Sequence, residues 1–62
     1  MRTFNVELYR DGEWWMVSIP AIDGLTQASS LEEVPSMARS FIATDQGLEL
    51  NEFDIGEPAV LG

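Results

Sequence analysis

Carboxylates are the side chains in this sequence with the greatest capacity for chemistry. Eleven Asp and Glu residues stand against three Arg, the formal net charge is −8, and His, Cys and Lys do not occur. The usual general bases and nucleophiles are therefore missing. Disulfides cannot form, and zinc would have only carboxylate ligands, which suit it poorly. We expect no cofactor, no metal site and no catalytic residue.

A magnesium-dependent nuclease is the enzymatic alternative that carboxylates leave open. Such a site needs several carboxylates that converge from neighbouring strands. The strand candidates are Glu7, which lies beside Asn5 near the start of the chain, and Asp54 near its end. Two scattered acids make a poor nuclease site, so we expect them to be solvated surface charges.

The charge balance also restricts the partners. Phosphates are bound by Lys and Arg, so a chain of net charge −8 is not an ordinary nucleic-acid binder. Anionic membrane surfaces are disfavoured for the same reason. No apolar run has the length of a signal peptide or a membrane span, and we expect a cytoplasmic location. The remaining role is contact with another protein, and the acidic surface favours a basic one.

A β-hairpin is predicted for the first third of the chain. Residues 3–10 alternate between apolar and polar side chains, as in a half-buried strand. Asp11-Gly12 favours a tight reversal, residues 14–19 are β-branched and aromatic, and Pro20 ends this second strand because it cannot donate to a ladder. The side chains predicted to face inward are Phe4, Val6, Leu8, Trp15, Val17 and Ile19.

A third strand and a helix are predicted next. Residues 25–29 follow the Asp23-Gly24 turn and complete an antiparallel meander. Ser30-Leu31-Glu32-Glu33 has the pattern of a capping box, in which the Ser hydroxyl caps the helix and the last Glu reaches back. The apolar stripe of the helix comprises Leu31, Val34, Met37, Ala38, Phe41 and Ile42.

Pro35 leaves two alternatives for the start of the helix, because it lacks an N–H for the helix ladder. Either residues 31–34 form a tight 3₁₀-like turn and the helix proper begins near Pro35, or the helix is kinked there. Gly47 is a stop signal. Residues 53–55 alternate as in a last short strand, and residues 59–62 are predicted to be a frayed end.

The predicted order is β-β-β-α-β, an α+β fold in which a three-stranded antiparallel meander, one helix and a short final strand form a single domain over residues 1–62. A chain this short buries only ~60% of its unfolded surface. Without disulfides or metals, tight packing or self-association must supply the missing stability. We expect a homo-oligomer, in which residues 53–55 or 25–29 offer an unpaired strand edge.

Four short motifs follow one another from the predicted hairpin turn to the start of the predicted helix. They are Gly12 before the aromatic pair Trp14-Trp15, an apolar strand that ends in Pro20-Ala21-Ile22-Asp23-Gly24, then Thr26-Gln27-Ala28, and Ser30-Leu31-Glu32-Glu33 at the start of the helix. In this order and spacing the run 11–33 resembles the HicB-type antitoxins. The resemblance, including the predicted element order, extends over residues 3–43.

The resemblance implies a partial RNase H-like fold and the binding of a small basic HicA-type toxin, whose cleavage of mRNA the antitoxin blocks. Many members also carry a C-terminal DNA-binding domain. The segment 48–62 has no Lys, no Arg and no helix-turn-helix pattern, so we expect neither DNA binding nor autoregulation. The alternative function is a stand-alone acidic regulator or nucleic-acid mimic that binds another nucleic-acid-handling protein.

Eight residues are the candidate partner contacts. Acidic side chains would be attracted to a basic ribonuclease and would cover its RNA groove. Adjacent strand residues face opposite ways, so if Trp15 is a core residue, Trp14 is an exposed aromatic anchor. The alternative is that the acids serve solubility and helix capping, and that the aromatic side chains pack across the hairpin. The candidates are Glu7, Tyr9, Asp11, Glu13, Trp14, Met16, Glu32 and Glu33.

Overall fold

The computed structural model describes residues 2–61, and it is a mixed α+β structure, as predicted. The described elements are the strands β1 (Arg2–Phe4), β2 (Glu7–Asp11), β3 (Trp14–Ile19), β4 (Gly24–Ala28), β5 (Phe53–Ile55) and β6 (Ala59–Val60), the helix α1 (Val34–Gln46), and 3₁₀ turns at Pro20–Ile22 and Leu31–Glu33.

Four of the strands form a mixed sheet in the order β4-β3-β2-β6. The pairs β2–β3 and β3–β4 are antiparallel, which confirms the predicted meander, and β6 joins β2 in parallel. Strands β1 and β5 pair in parallel as a separate two-stranded sheet. Helix α1 packs against β3, β4 and β5 and so covers one face of the larger sheet.

The prediction of one continuous strand over residues 3–10 is wrong. The chain leaves the smaller sheet after Phe4 and enters the larger one at Glu7. The predicted alternation is confirmed, since Phe4, Val6 and Leu8 are all buried. Side-chain period shows which face is inward but does not show which strand the backbone pairs with. One extended segment can therefore serve two sheets.

The predicted frayed end is wrong for residues 59–60, which form β6, while Gly62 lies outside the described residues. The reason is backbone pairing with the start of the chain: the N–H of Ala59 donates to the Val6 carbonyl at 3.0 Å, and that of Leu61 to the Leu8 carbonyl at 2.6 Å. The predicted order β-β-β-α-β thus lacks two strands, the separate β1 and the terminal β6.

The predicted hairpin is confirmed. A turn at Gly12-Glu13 joins β2 to β3, and Gly12 has a φ of 63°, which glycine adopts without steric cost. Val17 and Ile19 are fully buried, and Trp15 is half-buried. β3 ends at Ile19, immediately before Pro20.

The first alternative at Pro35 is confirmed. Residues Leu31–Glu33 form a 3₁₀ turn, and α1 begins at Val34 with Pro35 in its first turn, where a missing N–H costs no helix hydrogen bond. The predicted stop is confirmed too, because Gly47 ends α1 with a left-handed φ of 64° and donates its N–H to the Ala43 carbonyl.

The predicted capping box is wrong. Ser30 makes no side-chain cap bond, and the Glu33 carboxylate instead accepts hydrogen bonds from the backbone N–H of Ser29, at 3.0 Å, and from its hydroxyl. A capping box needs an α-helical first turn directly after the Ser. The residues after Ser30 are 3₁₀, so the box geometry is not formed.

The core lies between α1 and the two sheets. Val34, Ala38 and Ile42 of the predicted stripe are buried, whereas Leu31 and Met37 are exposed, which corrects the prediction for those two. Leu31 belongs to the 3₁₀ turn and does not share the period of α1. Met37 lies at the margin of the stripe, where α1 overhangs the edge strand β4. The buried hydrophobic residues are Phe4, Val6, Leu8, Val17, Ile19, Ala28, Val34, Ala38, Ile42 and Phe53.

Two close contacts of aromatic rings join other parts of the chain to the core. Phe4 and Phe53 meet edge to face, with 5.8 Å between ring centroids, and join the smaller sheet to the core. At β4 the ring of Phe41 lies directly over Gly24, where a Cβ would come within 2.5 Å of the Phe41 Cε1 atom. The missing side chain of Gly24 therefore lets α1 approach β4.

We expect Gly24→Ala to lower the free energy of unfolding by about 1–3 kcal/mol, because the added methyl group overpacks this contact. In a Phe41→Leu background, Gly24→Ala is expected to lower the free energy of unfolding by a smaller amount. Urea denaturation of the four chains measures the difference. Gly56→Ala is the control, since a Cβ added at Gly56 would lie 3.4 Å from its nearest neighbour atom, Asn5 Oδ1. Equal costs in both backgrounds would contradict the contact with Phe41.

Candidate protein-interaction surface

The face of the four-stranded sheet opposite α1 is called the outer face here. Side chains alternate along each strand, and those of Leu8 and Val17 face the core. Their neighbours along β2 and β3 therefore point away from α1. The strand register pairs Glu7 with Ser18, Tyr9 with Met16 and Asp11 with Trp14, and it adds Leu25 and Gln27 of β4 beside Ser18 and Met16.

Three large side chains of apolar or aromatic character are exposed on the outer face. Trp14 is 45% exposed, Tyr9 38% and Leu25 52%. Trp15 faces the other way and packs against the core, as its register with Val17 predicts. The structure therefore brings Tyr9, Trp14 and Met16 together as predicted.

Sequence reasoning did not identify Leu25 as part of this surface, although it contributes a large exposed side chain. The alternation within residues 25–29 could have indicated two faces. Which of them is outward depends on the pairing with β3.

Carboxylates lie beside these side chains, along β2 and at the hairpin end of the outer face. Glu7 and Asp11 lie on the outer face along β2, and Glu13 lies in the turn next to Trp14. The far end of β4 is at the same end of the sheet as this turn, because Ala28 pairs with Trp15. The 3₁₀ turn that carries Glu32 and Glu33 follows there. These two residues therefore lie off the outer face but at its hairpin end.

The side chains of the three arginines lie away from the outer face. The Arg10 guanidinium lies over the Trp15 ring, 4.9 Å from its centroid, on the core side of β2, and donates to the Gly12 carbonyl. Arg2 lies over the Phe4 ring at 4.7 Å. Arg39 forms an ion pair with Asp54 at 3.1 Å. Within residues 2–61, no outward position of β2, β3 or β4 carries a cation.

The carboxylates considered for a nuclease site are far apart in the topology. Glu7 is on the outer face of the larger sheet, whereas Asp54 belongs to β5 of the smaller sheet and is paired with Arg39. In the part of the chain that the structure describes, no group of three or more metal-ligating side chains comes together. Among those residues there is also no helix of the length and apolar character needed to cross a bilayer.

Glu33 is the carboxylate with a defined local environment. Hydrogen bonds from the Ser29 hydroxyl and from the Ser29 backbone N–H hold the pKa of Glu33 below its ordinary value of 4.5. Both donors favour the ionised form. Glu33 is therefore held in place at the end of β4, so its carboxylate already has two partners within the chain.

Comparison of the chain with protein-family models, with curated proteins and with solved structures finds no match. The resemblance to HicB-type antitoxins accordingly rests on the motifs between residues 11 and 33.

Glu33 is expected to titrate below 4.5 in the folded chain. Because its pKa is lowered by folding, the resulting stabilisation is present above pH 4.5 and is lost as the pH falls through the lowered value. Ser29→Ala removes the larger cause and is expected to raise the pKa of Glu33, as measured by NMR titration of its carboxyl carbon. Ser30→Ala is the control and should leave that pKa unchanged. An equal shift in both variants would contradict the assignment to Ser29.

Proposed function

We propose that this chain is a non-catalytic binding module that neutralises a small basic protein, an mRNA-cleaving toxin of the HicA type, by covering it with the outer face. The observation that carries the proposal is the outer face itself: the exposed Trp14 and Tyr9 and the half-buried Met16 are bordered by Glu7 and Asp11, and no arginine lies among them.

The surface has the general composition of a protein interface. Large aromatic side chains in a central position supply much of the binding energy of such interfaces, and Trp and Tyr are enriched among the strongest contacts. Trp and Tyr side chains have only two χ angles each, so Trp14 and Tyr9 lose little side-chain entropy when they bind. The acidic border would attract a basic partner at long range and would disfavour acidic ones.

The charge of the partner also fits the proposed activity. A ribonuclease must present basic side chains to hold the phosphates of its substrate. A protein that places carboxylates at those positions competes with RNA for the same groups. The resemblance of the run 11–33 to HicB-type antitoxins, with the partial RNase H-like fold that it implies, supports the same partner.

The stand-alone regulator remains the second candidate function. Its support is the same outer face, because a nucleic-acid mimic also presents carboxylates and no cations. The two functions differ in partner. Binding to a nucleic-acid-handling protein of another class, together with no binding to the toxin, would favour the mimic.

Trp14→Ala is expected to weaken the complex with the basic toxin by about 2 kcal/mol, or about thirtyfold, because a central aromatic contact is lost. Co-expression with a small basic mRNA-cleaving toxin of the HicA type, followed by calorimetry and by relief of growth arrest, measures the effect. Leu50→Ala is the matched control, since Leu50 is 61% exposed but lies outside the sheet. Absence of a complex, or an equal loss in both variants, would overturn the proposal.

Neutralising the acidic border is expected to act mainly on the rate of association. The double variant Glu7→Gln, Asp11→Asn removes two charges from the outer face and should lower the association rate constant and its dependence on salt. Surface plasmon resonance at low and high ionic strength separates this effect from dissociation. The double variant Glu49→Gln, Glu52→Gln changes the net charge equally but away from the sheet. The same slowing in both would show that net charge, not the outer face, attracts the partner.

A further inference from the structure

Strand β4 is the outermost strand of the larger sheet, and within residues 2–61 no strand pairs with its free side. Its sequence, Gly24-Leu25-Thr26-Gln27-Ala28, contains no charge and no proline. Exposed edges are ordinarily protected by charged side chains, by proline, by bulges or by very short length. β4 has five residues and a regular register with β3, so none of these protections is present.

The other end of the sheet is different. β6 has two residues, Ala59–Val60, and Glu57 and Pro58 precede it directly. A short strand next to a proline and a charge is a poor template for further pairing. The two ends of the sheet are therefore unequal, and of the two edge strands in the described part of the chain, β4 offers the longer free edge.

A groove runs beside the free edge of β4 on the side of α1. Its volume is about 310 Å³, and it is bordered by Thr26 of β4 and by Met37 and Phe41 of α1. Met37 is 37% exposed there. The remaining lining residues are Ser40, Thr44 and Asp45. A single charge in the lining makes this groove and β4 a largely neutral surface in a chain of net charge −8.

This distribution of charge indicates which partner binds at the free edge of β4. Two chains of net charge −8 repel each other, so they associate most easily through surfaces without charge. The acidic outer face attracts a basic partner, whereas β4 carries no charge and its groove carries one, that of Asp45. A second copy of the chain fits this edge for one more reason: an uncharged strand can pair with itself without opposing like charges.

We infer that two copies of this chain pair through antiparallel β4 strands about a two-fold axis at Thr26. Thr26 then lies opposite Thr26 of the second copy, and Leu25 lies opposite Gln27. Beyond the strand, Asp23 lies opposite Ser29, so the two Asp23 carboxylates are not opposed. The two four-stranded sheets become one continuous sheet of eight strands.

The helices complete the interface. Both copies of α1 lie on the same face of the joined sheet and flank the axis, so the two grooves meet. Met37 from each copy can enter the groove of the other, and a flexible thioether side chain fills such a gap well. A dimer of standard size buries about 800 Å² on each copy. That is about a fifth of the 4077 Å² surface of the chain.

The dimer also joins the two outer faces into one surface with two Trp14 side chains. The inference does not depend on the proposed function, since it rests on β4 and the groove, which lie apart from Glu7, Asp11 and Trp14. A failure of toxin binding and a failure of self-association are separate results.

Charges introduced at Thr26 test the register of the proposed strand pairing. Thr26→Glu opposes two carboxylates at the axis and Thr26→Lys opposes two ammonium groups, so each variant alone is expected to dimerise at least about tenfold more weakly than wild type. An equimolar mixture of the two variants is expected to recover the dimer. Sedimentation velocity over a wide concentration range measures all three samples. Thr3→Glu and Thr3→Lys are the matched controls, because Thr3 is exposed on β1 in the smaller sheet, and both should remain dimeric.

Hydrogen exchange of the wild-type chain provides a second measurement that requires no substitution. Amide protons of β4 are expected to become more protected as protein concentration rises. A wild-type chain that stays monomeric up to about 1 mM, where association is worth only about 4 kcal/mol, would overturn the inference. It would also be overturned by Thr26 variants that dimerise normally, by folded variants whose mixture stays monomeric, or by concentration-independent exchange in β4.

Discussion

A single helix can cover only one face of a sheet, and this constraint shapes the whole protein. Val34, Ala38 and Ile42 of α1 pack on the side of the sheet that carries Leu8, Val17 and Ile19. Burial of these side chains is the main favourable term in folding. The opposite side has no second layer among residues 2–61, and the apolar side chains on it, led by Trp14 and Leu25, keep about half of their surface exposed. The same packing that forms the core therefore leaves the outer face available.

The few cations of the chain reinforce this division. Arg2 and Arg10 lie over the aromatic rings of Phe4 and Trp15, and Arg39 is paired with Asp54. These three guanidinium groups thus lie at the margins of the core and not on the outer face. Those of Arg2 and Arg10 pack against aromatic rings. Glu7, Asp11 and Glu13 have no cationic partner within the described residues. The result is a surface whose acidic character is local and not only a property of the total charge.

The two proposed interfaces use different physics. Leu25 of β4 lies on both, whereas Glu7, Asp11 and Trp14 belong to the outer face and not to β4. The outer face combines exposed aromatic groups with carboxylates, which suits a partner of opposite charge. The β4 edge and its groove combine unpaired backbone groups with a nearly neutral lining, which suits a copy of the chain itself. Joining two copies would also offset the small core of a chain of 62 residues, since association adds buried apolar surface that the monomer lacks.

Local chemistry in the sequence determined much of the fold. The period of two over β2 and β3, the reversal at Gly12 and the helix stop at Gly47 could be predicted, because each depends on residues close together in the chain. The opposite orientations of Trp14 and Trp15 followed from the same period. The tertiary structure alone decided that residues 2–4 leave the main sheet, that β6 pairs with β2, and that Leu25 shares a face with Trp14. These outcomes depend on hydrogen bonds between segments far apart in sequence, and alternation of side chains carries no information about which distant backbone a strand will meet.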